Sequence, residues 1–353
     1  NTPFSLMKSL ENTTYVHPQY FSNEEAEAIF SPIHIDEIEE NGRMGQTNIV
    51  VIILESFSKE YIGFYNQDIA GYQGYTPFLD SLLAHSVTYT HSFASGRKSI
   101  DAMPSVLSSL PMLIEPYIVT PFSTNAVSSL AACLRDEGYA TAFFHGAPNG
   151  SMGFQAYARS AGFEQYFGMD EYDGIDAFDG TWAIWDEEFL QYYAQRMSQM
   201  QEPFITAVFT ASSHHPFRVP ERYEGVFPKG EKPIHPCVGY TDYALRKFFG
   251  YAQEQDWYEN TLFVITADHT NQVSLPEYAT AKGLFEVPIA FYSPQWSKGQ
   301  LREHGAVSQT DIMPSVLAYL GYQKPFFAFG ENILTNEKLH SCAICYNHPA
   351  YQL

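Results

Sequence analysis

Two apolar runs far apart in the chain, NIVVIILES and LFVITADHT, constrain the fold more than anything else in this sequence. Each is of strand length, each is rich in β-branched residues, and neither alternates with polar residues. A strand of that kind is buried on both faces, which requires helices above and below a mostly parallel sheet. Each run also closes on polar residues of one chemical kind: Glu55 ends the first, and Asp268 with His269 ends the second. In an open α/β sheet the carboxyl ends of the strands gather the reactive groups. A third segment, SGRKSIDAMPS, lies between them in sequence and supplies Ser99 beside Arg97 and Lys98.

These residue types belong together chemically. Two carboxylates, one imidazole and one hydroxyl form an oxygen and nitrogen set suited to a single divalent ion, Mn or Zn, with Mg also compatible. Such an ion lowers the pKa of a bound hydroxyl, so Ser99 is expected to be both ligand and nucleophile alongside the ligands Glu55, Asp268 and His269. Ser99 also opens a helical stretch, DAMPSVLSSL, where unpaired backbone N–H groups favour a phosphate. The plainer reading of Ser99 is an N-cap, with Asp101 in the first turn.

The rest of the chain alternates in the same manner. TPFLDSLLAHS reads as a helix, SVTYTHSFA as a strand, NAVSSLAACLRDEGY as a helix ending near Gly138, and ATAFFHG as a strand delivering His145. FITAVFTASS leads to His214 and His215, and VGYTDYALRKFFGYAQ and DIMPSVLAYLGY are further helices. The expected organisation is a linker over 1–45, with one or two short helices in NEEAEAIF and HIDEIEE, then a catalytic domain over 46–325. Residues 326–353 would begin a small antiparallel subdomain. The acidic, aromatic stretch from Glu171 to Trp185 reads first as a solvated surface connection; its sharper alternative is a contact with a sugar or a cationic head group.

Composition excludes some partners. With 19 basic against 40 acidic residues the net charge is −21, which argues against nucleic acid and against broad adhesion to anionic lipid. With 45% hydrophobic residues over 353 positions the chain can bury a large core. No run of about 18 apolar residues appears, so the chain is expected to be soluble. It starts at Asn1 without methionine and stops in strand-like text at Leu353, as an excised fragment would. Cys133, in a helix-like run, and Cys237, in a loop leading to a helix, read as small buried residues. Cys342 and Cys345 form a lone C-x-x-C, open between a disulfide, half a zinc site and chance.

NIVVIILES, YTPFLDSL, ASGRKSIDAMPSVLSSLP, FHGAPNGSMGF, TASSHHPF, YTDYALRKFF, ITADHT, EVPIAFYSP and SQTDIMPSVLAYLGY follow one another from residue 48 to 322. In that order they resemble the lipoteichoic acid synthase-like branch of the sulfatase and alkaline phosphatase superfamily. The resemblance implies a doubly wound α/β fold, mostly parallel and flanked by helices. It also implies a hydroxyl nucleophile that takes a phospho-substituent from a phospholipid head group and passes it to a glycan or lipid acceptor. Glu55, Ser99, Asp268 and His269 fall on its metal and nucleophile positions, with serine where synthase members commonly have threonine. His145 and His214 fall on phosphate-contacting positions, with His214 also placed to protonate a leaving group.

Arg97, Lys98 and His215 are neighbours of that site, and Asn271 follows the Asp-His pair. One departure stands out: the acidic residue, Trp and Arg that usually grip the substrate after FHG are replaced by Ala147 to Met152, leaving Asn149 and Met152 as pocket candidates. A sulfatase signature is absent after Ser99, which ranks sulfate-ester hydrolysis below phosphoryl transfer. Relatives of this type place the catalytic domain outside the cytoplasm, anchored by transmembrane helices that would lie outside this chain. The rivals are a hydrolase of phosphate, phosphodiester or sulfate esters, a phosphoethanolamine transferase, and an inactive sugar-binding domain.

Overall fold

All seven residues of β2 (Asn48–Leu54) are buried, and this strand is the middle of the molecule. In the computed structural model, which describes residues 19–34, 42–303, 305–336, 342–347 and 350–353, an eight-stranded sheet is built around it. The sheet comprises β2, β3 (Val87–Tyr89), β5 (Ala140–His145), β6 (Gln165–Phe167), β7 (Phe204–Phe209), β8 (Thr261–Ala267), β9 (Ile289–Tyr292) and β10 (Gln300–Arg302). Their spatial order is β10-β3-β9-β8-β2-β7-β5-β6, and β9 alone runs against its neighbours.

Side chains of a strand point alternately to opposite faces, so β2 feeds two cores at once. Ile49, Val51 and Ile53 pack with residues of α3 (Ser99–Ser108), α4 (Leu130–Arg135), α5 (Phe154–Ser160) and α8 (Ile312–Leu320). Val50, Ile52 and Leu54 pack on the opposite face with α2 (Pro77–Leu83), α6 (Asp186–Met197) and α7 (His235–Ala252). This is the doubly wound arrangement that the continuous apolar runs require. Burying each such aliphatic side chain stabilises the fold by roughly 1.5–3 kcal/mol, so the central strands are the least replaceable part of the chain.

Register then sets the site. Leu54 stands opposite Ala267 and Ile53 opposite Phe209. The ladder runs one step further on each side, with Asp268 N–H donating to Leu54 O and Thr210 N–H to Ile53 O, both at 3.0 Å. Glu55 and Asp268 therefore emerge side by side, and the loop after β7 emerges next to them.

The flanks are small. α1 (Asn23–Ile29) has a capping box between Ser22 and Glu25. β1 (Ile33–His34) pairs antiparallel with β12 (Phe326–Phe327), so HIDEIEE begins in a strand rather than a helix, and its remainder lies outside the described residues. β4 (Ser92–Phe93) pairs with β11 (Val307–Ser308), and β13 (Cys345–Asn347) with β14 (Ala350–Gln352) as a C-terminal antiparallel hairpin. Cys133 and Cys237 are buried, the latter in the first turn of α7 instead of a preceding loop, and its thiol is pushed up to about 12 by burial. Cys342 and Cys345 are both free thiols, one exposed and one buried. Among the described residues no helix is long and apolar enough to cross a membrane.

Candidate active site

Glu55, Asp268 and His269 converge at the carboxyl ends of β2 and β8, with ligand atoms all within 4.8 Å of one another and all three side chains buried. Ser99 joins them from the side. It is the first residue of α3, Lys98 occupying the N-cap position, so its hydroxyl is not consumed in capping. Instead its Oγ lies 3.1 Å from Glu55 Oε2 and 3.4 Å from His269 Nε2.

Each ligand is oriented by a second contact. His269 Nδ1 lies 2.7 Å from the Thr270 carbonyl, which can only accept, so the proton is on Nδ1 and the Nε2 lone pair faces the site. Asp268 Oδ1 accepts the backbone N–H groups of Ser56 and His269, both at 2.6 Å. Ser56 adopts φ 58°, a left-handed conformation uncommon outside glycine, and its N–H is the one directed at Asp268. The Ser56 hydroxyl donates to Glu55 Oε1 at 2.6 Å and receives Asn271 Nδ2 at 3.0 Å. Asn271 thus reaches the site through Ser56.

Asp268 Oδ2 is buried with no hydrogen-bond partner among the described residues, although His269 Nε2 is 3.2 Å away. Burial, with Glu55 adding to it, pushes the Asp268 carboxyl well above its ordinary range. Burial opposes charge on His269 too, but the two neighbouring carboxylates outweigh it and raise that group. An unpartnered carboxylate oxygen, a second carboxylate and an imidazole lone pair, all buried together, fit a divalent cation: a positive charge there relieves the repulsion and completes the coordination.

The β7 side of the site carries the histidines. β7 ends at Phe209, so His214 is not at a strand end as its sequence context predicts but in the turn that follows. Ser213 Oγ donates to the Glu55 carbonyl and ties this turn to the end of β2. His214 Nδ1 bonds the His215 carbonyl at 2.8 Å, while the His215 ring is exposed and edge-on to Phe217. His145 closes β5 with its Nδ1 donating to Phe209 O at 3.1 Å. Its Nε2 is buried without a partner among the described residues, and burial lowers its pKa, which keeps the ring neutral.

Arg97 and Lys98 are exposed, with their backbone N–H groups held by Asp101 Oδ2 at 3.1 and 3.0 Å. The Asn149 amide nitrogen donates to Glu171, 3.0 Å from each carboxylate oxygen, while its Oδ1 is buried without a partner among the described residues, and Met152 is exposed at φ 52°.

Two supporting residues carried no sequence signal. Gln309 is fully buried; its Nε2 donates to the carbonyls of Ala267 (2.7 Å) and Asp268 (2.9 Å), and its Oε1 accepts Ser95 N–H at 2.9 Å. Asp186, the first residue of α6, accepts the N–H groups of Ala211 (2.8 Å) and Ser212 (3.1 Å) and so fixes the His214 turn. The hydrophilic ends of amphipathic helices look alike in sequence, and nothing local distinguishes these two.

A doubly wound sheet bearing an acidic, imidazole and hydroxyl cluster at its carboxyl edge is an architecture of the alkaline phosphatase type. The Sulfatase family model matches residues 47–322, and the chain belongs to that family, in its lipoteichoic acid synthase-like branch. It is 22% identical over 313 residues to the lipoteichoic acid synthase-like YvgJ of Bacillus subtilis, covering 82% of this chain and 50% of that protein. The chain thus spans about half the length of the curated relatives it matches. A protein in the alkaline phosphatase superfamily from Vibrio parahaemolyticus superposes with a TM-score of 0.72 at 23% identity, covering 83% of this chain and 71% of that one. The lipoteichoic acid synthase LtaP from Listeria monocytogenes gives 0.72 at 20% identity, covering 84% and 79%.

Proposed function

We propose that this chain is the catalytic domain of a metal-dependent phosphotransferase, moving a phosphoglycerol-type group from a membrane phospholipid to a glycan or lipid acceptor. The observation that carries this reading is the pairing of Ser99 Oγ with Glu55 Oε2 and His269 Nε2 at a helix start, next to a buried carboxylate oxygen without a partner. The relatives named as lipoteichoic acid synthases support the same direction.

Glu55, Asp268, His269 and Ser99 would hold one divalent ion, Mn or Zn, with Mg also compatible. When bound, the ion supplies charge to lower the hydroxyl pKa and to stabilise the added negative charge on phosphorus. Ser99 Oγ forms a bond to phosphorus, giving up its proton to the adjacent Glu55 carboxylate, and the bond from phosphorus to the glyceride oxygen breaks. His214 protonates that departing oxygen or binds the phosphate. The neutral His145, with its proton on Nδ1, leaves Nε2 to accept a hydrogen bond from a hydroxyl of the phosphoglycerol group. An acceptor hydroxyl then attacks phosphorus, and Ser99 is restored with its proton. Backbone N–H groups at the start of α3 favour the anion throughout. The full-length protein is proposed to act outside the cytoplasm, anchored to the membrane by a region outside this chain.

Intact-protein mass after incubating Mn-loaded enzyme with phosphatidylglycerol, beside Ser99→Ala, tests this. A phosphoglycerol adduct on the wild type alone is the expected outcome. Lipid turnover with release to water and no acceptor product would replace the transferase by a hydrolase on the same scaffold.

A further inference from the structure

The stretch from Glu171 to Trp185 reads in sequence as a solvated connection, yet its second half is tightly built. Asp179 Oδ1 accepts three successive N–H groups, from Thr181 (2.7 Å), Trp182 (2.6 Å) and Ala183 (3.2 Å), and Asp179 N–H donates to Ala183 O at 2.9 Å. Ile184 N–H reaches Gly146 O at 2.9 Å, which docks the segment on the end of β5 beside His145. Asp186 then locks into the turn after β7: its N–H donates to Ser212 Oγ at 2.9 Å while its carboxylate accepts from Ala211, Ser212 and Thr241.

What this frame presents is Trp182. The side chain stays 44% exposed, yet it is held at both ends. Its Nε1–H donates to the His215 carbonyl at 2.6 Å, and its ring meets His214 edge-on at 4.5 Å. The same carbonyl takes the His214 Nδ1 proton, so one backbone oxygen orients both rings. Buried indoles are common and loosely held surface ones unremarkable; an indole fixed but left open offers a ligand a flat apolar face with polar groups at its rim.

Charge narrows the ligand. No Lys or Arg lies between Arg159 and Arg196 and Asp173, Asp176 and Asp179 precede the indole, while exposed Arg218 follows three residues after His215, so neither sign of charge dominates there. Exposed Arg97 and Lys98 beside Ser99 disfavour a cation. A neutral ring with apolar C–H faces and hydroxyl edges satisfies both limits.

Resting on the phosphotransfer reading above, we propose that Trp182 is a specificity-determining residue, the stacking wall for a neutral sugar ring of the acceptor, held in register with His214 by the Asp179 turn and Asp186.

The test uses the full chain loaded with Mn, a β-glucosylglycerol probe, and the Trp182→Ala and Trp182→Tyr variants. The expected results are saturable tryptophan-fluorescence quenching by the sugar in wild type, lost in Trp182→Ala, and a ratio of transfer to hydrolysis that falls at least tenfold in Trp182→Ala. Trp182→Tyr should recover most of that ratio, because a flat ring is retained. If the ratio stays unchanged while transfer and hydrolysis fall together, Trp182 serves only to position His214 and the proposal is overturned. If no phospholipid forms a Ser99 adduct, the phosphotransfer reading fails by itself, and the quenching titration still decides the sugar wall: no saturable quenching overturns it.

Discussion

Replacing Gln309 by methionine isolates the contacts that tie the end of β8 to the segment before Ser99. The two side chains are similar in length and volume, so little cavity is created at a position with no solvent exposure. Three hydrogen bonds disappear: from Nε2 to Ala267 O and Asp268 O, and from Ser95 N–H to Oε1. At about 1 kcal/mol each the loss is ~3 kcal/mol, and the two stranded carbonyls and one N–H keep it from being smaller. For a chain of 353 residues the unfolding entropy is roughly 0.7 kcal/mol per kelvin, so the melting temperature should fall by about 4 °C. Ser95 lies in the strand-to-helix segment before Ser99 and Asp268 is a proposed ligand, so the same substitution should weaken Mn binding by roughly 10- to 100-fold, as losses of ligand-orienting contacts do. Calorimetry and metal titration on one preparation read both numbers. A variant that melts like wild type and binds Mn equally well would refute the idea that Gln309 couples the nucleophile segment to the β8 end.

Two further outcomes follow from the buried charges. Mn at about 100 times its Kd should stabilise the protein by roughly 2.7 kcal/mol, about 4 °C, and chelator should reverse it; Asp268→Asn should abolish the response, because Asp268 Oδ2 is the unpartnered oxygen. Asp242 is buried under α2, accepting N–H from Phe78 (3.0 Å) and Leu79 (2.8 Å), and burial pushes its carboxyl up to about 7. The folded state then holds a proton that the unfolded state loses near pH 4, so its contribution is full below that pH and is lost as pH rises towards 7. Wild type should lose about 1.4 kcal/mol per pH unit more than Asp242→Asn across that window in denaturant titrations, and equal slopes would dismiss the assignment.

The central layer and the reactive edge were largely readable from the sequence, because their signals are local. Uninterrupted apolar runs name β2 and β8 as strands buried on both faces, and the abrupt change to Glu55 and to Asp268-His269 marks where each strand leaves the core. The helix that starts at Ser99 is equally local. The text after FHG shows that the usual gripping residues are missing, but not that the Asn149 amide nitrogen is held by Glu171, which is a contact made in the fold. The acidic Glu171–Trp185 stretch looked like plain surface because its order comes from an Asp179 side-chain turn and from Ile184 N–H docking on Gly146, which leave no periodic pattern in the text.

Residue types and element boundaries follow from hydrophobic periodicity and helix-start chemistry within a few positions of each other, and those the chain carries in its own text. That Leu54 faces Ala267, placing Glu55 beside Asp268, depends on strand register. That Gln309 reaches two carbonyls at the end of β8, and that one carbonyl of His215 orients both His214 and Trp182, depends on how packed helices bring distant segments together. Register and packing minimise unpaired polar groups and voids over the whole core, a condition no local stretch of sequence contains, and only the tertiary structure decides them.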